Sequence, residues 1–241
     1  MESPATEINT GRIPGILGES TLPDPILSDR LTLGLADYFH LLFDRITLSW
    51  GNKTPQRPVI GFTSCRKGEG VSTVCRHLLI AAAQKLQRPV LLINTDRDSP
   101  KAESTSSKET RGFYDVLAGI SEPGDVLRAG PTRWAFLMYA GSPESRKQAV
   151  VRSELLVRLL EFLKREFVTI IVDLPPCYDS GDCFAIANTV DGVVLVVEAE
   201  RVRSPIIARA RDQLFQVGAR VIGVVLNKRR KHVPEWLYRR L

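Results

Sequence analysis

The stretch SCRKGEGVSTV, Ser64 to Val74, places two glycines, Gly68 and Gly70, just ahead of a Ser-Thr pair. Glycine lets a backbone turn tightly and bring its N–H groups to an anion. Ser72 and Thr73 would open a helix, where unpaired N–H groups and the helix dipole attract phosphate. The Ser72 hydroxyl can also ligate magnesium. On this reading Arg66, Lys67, Gly68, Glu69, Gly70, Val71, Ser72 and Thr73 form the nucleotide-binding turn. Val71 is the anomaly, because a working loop of this kind has lysine there. Valine offers neither charge nor donor, and losing such a transition-state contact commonly costs a factor of ~100 or more in rate. Arg66 or Lys67 either restores the charge from across the loop or is simply a solvated basic side chain.

Two acids stand at the ends of apolar runs. Asp96 follows LLINT and is either a magnesium or water contact or a turn acid. Asp173 ends TIIVD, the usual setting for an acid that holds magnesium through water, with an ordinary turn acid as the alternative. Ser72, Asp96 and Asp173 are therefore the expected magnesium set, with Asp96 and Asp173 as the catalytic acids should transfer occur. Asn227 ends VVLN and either reads a purine edge or merely terminates its strand. Cys65 and Cys177 fall in the same loops and are expected to lie near each other as free thiols. His40, His77 and His232 form no pattern with a serine or cysteine nucleophile, and the four cysteines have no zinc-ligand spacing.

These groups need a scaffold that brings strand ends together. Apolar runs at Pro58–Ser64, Pro89–Thr95, Arg133–Gly141, Phe167–Pro176, Gly192–Glu200 and Arg220–Lys228 read as buried strands. Helical spacing covers about Arg30–Ser49, capped by Ser28-Asp29. It recurs from Ser72 with Val74, Leu78, Leu79, Ala82 and Leu86 inward, in a short GFYDVLAGI helix, at Ser153–Glu166 and at Ser204–Val217. Arg97–Gly112 is polar and rich in breakers, as a flexible loop would be. Strands apolar on both faces and separated by helices predict an α/β fold, a mostly parallel sheet with helices on both faces. Ligands bind such sheets beyond the carboxyl ends of the strands, where every group named above falls.

The chain has 241 residues, 44% apolar and 25% charged, enough for a large single core. Residues 1–28 read as an irregular arm and 29–241 as one domain with a basic, aromatic tail at 228–241. No apolar run approaches the ~20 residues of a membrane helix, and the start lacks a secretion pattern. Net charge is +6, concentrated in KRRK at Lys228–Lys231 and in Arg239-Arg240. This excess is either solvated surface or a contact for an anionic partner such as acidic lipid. The tail, with Trp236 and Tyr238, either docks on its own domain or meets a partner or membrane surface.

From Pro58 to Lys228 the order TSCRKGEGVST, LLINTDRDSP, GFYDVLAG, IIVDLPPCYDSGDCFAIANTVDGVVLVVEAERVR and GVVLNK resembles the bacterial tyrosine kinases of capsule and exopolysaccharide synthesis, within the MinD and ParA class of P-loop ATPases. The resemblance implies ATP or ADP with magnesium. It also implies a cytoplasmic position against the inner face of the membrane, and a membrane co-polymerase or export partner of the Wzz type. A ParA-like role on nucleic acid ranks below it. Relative to that family, Val71 replaces the catalytic lysine and Asn94 the first acid of the second Walker motif, while Asp96 keeps the second. Asp98 stands where arginine is usual. Arg66 matches the signature lysine of MinD-type loops. Tyr238 alone represents the tyrosine-rich tail, and Ala36, Phe39 and Leu42 replace the residues that build the ring oligomer. The IIVD segment is expected to lead into a hairpin-like region. Together these departures imply a kinase-like protein with weak or absent catalysis.

Overall fold

The computed structural model describes residues 32–51, 55–97 and 111–229. The arm at 1–28, the Ser28-Asp29 cap, Asp98 and the tail beyond Arg229 lie outside these residues. The strands are β1 (Val59–Ser64), β2 (Val90–Asn94), β3 (Leu127–Ala129), β4 (Ala135–Met138), β5 (Thr169–Asp173), β6 (Gly192–Glu198) and β7 (Val221–Asn227). They form one sheet in the order β3-β4-β2-β5-β1-β6-β7. All neighbours run parallel except the short edge strand β3. The expected doubly covered α/β sheet is what the chain adopts.

The helices are α1 (Thr32–Leu48), α2 (Val71–Leu86), α3 (Phe113–Leu117), α4 (Pro143–Gln148), α5 (Ser153–Glu166), α6 (Gly181–Ala187) and α7 (Ser204–Gln216). On one face of the sheet, α1 and α2 bury Phe39, Phe43, Ile46, Val74, Leu78 and Leu79 against Ile60, Phe62 and Ile171. On the other, α3, α5, α6 and α7 cover Leu91, Ile93, Ile170 and Val193 with side chains such as Tyr114, Leu159, Ile186 and Leu214. Side chains of a strand alternate between faces, so strands in such a sheet must be aliphatic throughout. The six residues of β1 are accordingly all buried.

One expectation changes, and two short elements are added to it. The region after Asp173 is not a hairpin. Ser180 caps α6 by accepting from Asp182 N, and this helix crosses toward β6, which lies beyond β1 in the sheet. The short α4, begun by the Ser142 cap and Pro143, and the edge strand β3 are too brief to show periodicity. Leu86, at the last turn of α2, is half-buried and packs against the α1–α2 core as expected.

Asp115 holds the α3–α4 corner. Its carboxylate accepts from Gly112 N (2.8 Å), Ser142 N (3.0 Å), Ser142 Oγ (2.9 Å) and Ser145 Oγ (2.7 Å). Burial pushes its pKa up, but these hydrogen bonds outweigh burial and hold it below the ordinary carboxylate range. Asp115→Ala should therefore cost about 3 kcal/mol in urea unfolding at pH 7. A lowered native pKa stabilises the fold above the unfolded-state value of ~4, so the difference between wild type and variant should shrink as pH falls below that.

Candidate functional site

The β1–α2 connection is a turn built from its own polar groups. Ser64 Oγ donates to Arg66 O (2.8 Å), and Cys65 N donates to a Glu69 carboxylate oxygen (3.1 Å). Glu69 is 1% exposed, and its second carboxylate oxygen, Oε1, has no protein partner. Burial raises its pKa. The glutamate side chain is thus spent on shaping the loop. Gly68 and Gly70 have φ of +89° and +97°, conformations that other residues resist. Gly70 is also the N-cap of α2 with no capping side chain, which leaves the helix N-terminus available to an anion.

A Cβ on Gly70 would lie 2.2 Å from Asn227 Nδ2. That amide donates to Glu69 O at 2.9 Å, so Asn227 lies against the loop and grips its backbone. Arg66 and Lys67 are exposed. Val71 is 8% exposed and joins the α1–α2 core with Val74 and Cys75.

The two acids arrive from neighbouring strands. Parallel pairing of β2 with β5 sets Asn94 opposite Asp173. Asn94 Oδ1 accepts from Asp96 N (2.9 Å), a turn that folds Asp96 back toward the site. Thr95 ties the two strand ends by donating both N–H (3.0 Å) and Oγ1–H (2.9 Å) to Asp173 O. Asp173 is 3% exposed. Its pKa is pushed up to about 7 by burial foremost and by the nearby Asp96 carboxylate, against the hydrogen bond from Ser72 and the Arg76 charge. Ser72, Asp96 and Asp173 therefore meet in one place. A hydroxyl and two carboxylates are hard oxygen donors that fit magnesium held partly by substrate phosphate. No cluster of three or more His, Cys, Asp or Glu residues that could hold a metal alone occurs among the described residues.

Several groups that the sequence did not single out complete the site. Arg76 lies one turn into α2, donates to Ser72 O (3.2 Å) and bears on Asp173. Arg97, expected in a flexible loop, is pinned. It pairs with Asp182, donates to Ala149 O (2.7 Å) and lies 4.1 Å over the Tyr114 ring. Tyr114 OH lies 2.8 Å from Thr95 O and 3.0 Å from Asp182, two acceptors for its one proton. This network joins the loops that follow the two acid-bearing strands. Cys177 Sγ lies 3.7 Å from Cys183 Sγ, and both are within reach of Thr63 Oγ1. Cys177 N donates to Ser64 O at 2.9 Å, which sets the Cys177 loop beside the loop that carries Cys65, and burial pushes the Cys65 thiol up to about 12. All four cysteines are free and buried.

No family model matches the chain. The tyrosine-protein kinase CpsD of Streptococcus agalactiae serotype III (strain NEM316) is 27% identical over 193 residues, 80% of this chain and 82% of that protein. Further relatives of this chain are named tyrosine-protein kinase CpsD, of Streptococcus pneumoniae, and putative tyrosine-protein kinase CapB, of Staphylococcus aureus. The succinoglycan biosynthesis transport protein ExoP of Rhizobium meliloti (strain 1021) is 29% identical over 70% of this chain, matched to 22% of its own length. Among solved structures, the kinase domain of the Escherichia coli tyrosine kinase ETK superposes with a TM-score of 0.75 at 21% identity, covering 90% of this chain and 86% of that one. The septum site-determining protein MinD from Pyrococcus horikoshii OT3, complexed with Mg-ADP, superposes with a TM-score of 0.60 at 19% identity, covering 76% of each. The fold is that of the MinD/ParA-like P-loop NTPases. No helix among the described residues is long and apolar enough to cross a membrane.

A carboxyl with a raised native pKa favours folding below its unfolded-state pKa and loses that advantage as pH rises toward 7. Asp173→Asn should therefore raise the melting temperature of the metal-free protein at pH 8 and change it little at pH 4. Magnesium should protect wild type against unfolding increasingly as pH rises through about 7, and Asp173→Asn should abolish that protection. Thermal unfolding with and without magnesium reads both.

Proposed function

We propose that this protein is a kinase-like P-loop protein of exopolysaccharide or capsule synthesis that binds ATP or ADP with magnesium but transfers phosphate weakly or not at all. It would work by docking on a membrane component of polysaccharide export or chain-length control. The observation that carries this reading is the Ser72–Asp173 contact beside a buried Val71. The groups that would hold an anion and its metal lie together, while position 71, where a lysine would follow the phosphate through transfer, carries an aliphatic side chain buried in the core.

Ser72, Asp96 and Asp173 are the residues that would hold magnesium, which supplies positive charge to the phosphate oxygens when bound. The loop from Arg66 to Thr73 would surround the phosphates with backbone N–H groups. Asn94 can anchor the Asp96 turn, yet it carries no charge where kinases of this type have an acid. Asn227 spends an N–H on Glu69 O and keeps its amide oxygen as an acceptor. An acceptor suits the amino group of adenine better than the carbonyl of guanine. The export role draws on the transport function in the name of ExoP. The arm, the basic aromatic tail, a cytoplasmic position at the membrane and contact with acidic lipid belong to the same proposal.

Calorimetry with Mg-ADP should show saturable binding, stronger than for Mg-GDP. Steady-state assays should show ATP turnover far below that of an active kinase. Val71→Lys should raise that turnover by about 100-fold if the rest of the site is competent. Wild-type turnover that Val71→Lys does not increase and Asp173→Ala removes would show an active enzyme instead.

A further inference from the structure

Val71 leaves the loop without a cation on its helix side, but two cations stand on its other side. β7 ends in Asn227, and the chain turns at Lys228 with φ of +56°, a conformation uncommon outside glycine. That turn sends the lysine across the loop. Lys228 Nζ donates to Gly68 O at 2.6 Å and lies 3.3 Å from Glu198 Oε2 at the end of β6. Arg201 Nη1 donates to the same Glu198 oxygen at 2.9 Å. A Cβ on Gly68 would lie 3.8 Å from Arg201 Nη1, and one on Gly70 would lie 3.8 Å from Lys228 Cε. Both glycines are therefore flanked by basic side chains, with the Glu198 carboxylate between them and Glu69 within electrostatic reach of Arg201.

We propose that Lys228, steadied by Glu198 and accompanied by Arg201, is the cation of this phosphate loop and binds the phosphates of a nucleoside di- or triphosphate from the β7 side. The inference rests on the nucleotide-binding reading above. Lys228 is 160 residues from Gly68 in sequence, so no local motif marks it. It also differs in kind from the lysine that Val71 replaces. Its ammonium is tethered to a backbone carbonyl and a carboxylate, so it can attract and hold phosphate but is not free to travel with a departing one. Lys228 therefore accounts for binding without supplying transfer.

Two variants separate its charge from its hydrogen bond. Lys228→Gln keeps an N–H that can donate to Gly68 O but removes the charge, and Lys228→Arg keeps the charge. The probes are Mg-ADP and inorganic tripolyphosphate, measured by calorimetry at low and high salt, with thermal unfolding of each variant alongside. Lys228→Gln should weaken Mg-ADP about tenfold and flatten the salt dependence, while Lys228→Arg stays within about threefold of wild type. Tripolyphosphate should follow the same order, since the effect needs no base. Wild-type binding of Mg-ADP that Lys228→Gln leaves unchanged would overturn the inference and leave the nucleotide reading standing. Equal losses in both variants, with matching falls in melting temperature, would mark Lys228 as a structural latch and overturn it too. No binding of either probe by wild type would overturn both.

Discussion

The Ser72 hydroxyl on the Asp173 carboxylate is the contact on which the site depends. It joins the first turn of α2 to the end of β5, two elements separated by about a hundred residues. β5 pairs with β1 on one side and β2 on the other, so a group at its end faces the connections that follow both neighbours. The parallel register then sets Asn94 and the Asp96 turn beside the same carboxylate. A hydroxyl and two carboxylates gathered at a helix N-terminus can bind a divalent cation and the phosphates it carries. Without such ligands the arrangement costs stability, because a buried carboxyl beside another acid resists ionisation. Functional sites commonly concentrate unfavourable features of this kind.

In the proposed reading, Val71 stands at a position where a cation would act during transfer. Its side chain is 8% exposed and belongs to the apolar cluster that also holds Val74 and Cys75. The fold is that of the chain's P-loop neighbours, with a glycine turn after β1 and an acid at the end of β5. Basic charge stands instead at the β6 and β7 ends, where Lys228 and Arg201 share Glu198. Position decides the consequence. A cation fixed at the rim contributes equally to bound substrate and to transition state, which raises affinity but not the rate of the chemical step.

Much of this was legible in the sequence because strand ends announce themselves. An aliphatic run that stops at Asp173 or Asn227 fixes where the sheet edge lies, and a parallel sheet presents all such edges on one side. The Ser72–Asp173 meeting follows from that geometry alone. The lateral contacts did not follow. Lys228 looked like part of a basic tail because its partner is a backbone carbonyl, and carbonyls leave no trace in composition. Arg97 looked like loop because its ordering comes from Tyr114 and Asp182, which reach it only after α3 and α6 have packed. Helix α6 was missed because its seven residues span barely two turns, too few for a period to emerge, and its Ser180 cap was the available signal.

The fate of a bound triphosphate tests the account most directly. ATP labelled on its terminal phosphate would be mixed with excess protein and magnesium, and the bound nucleotide recovered by acid quench over minutes to hours. The account predicts that the label stays on intact ATP for as long as the complex persists. Prompt recovery of the label as free phosphate or on a tyrosine would show that the loop drives transfer without lysine at position 71.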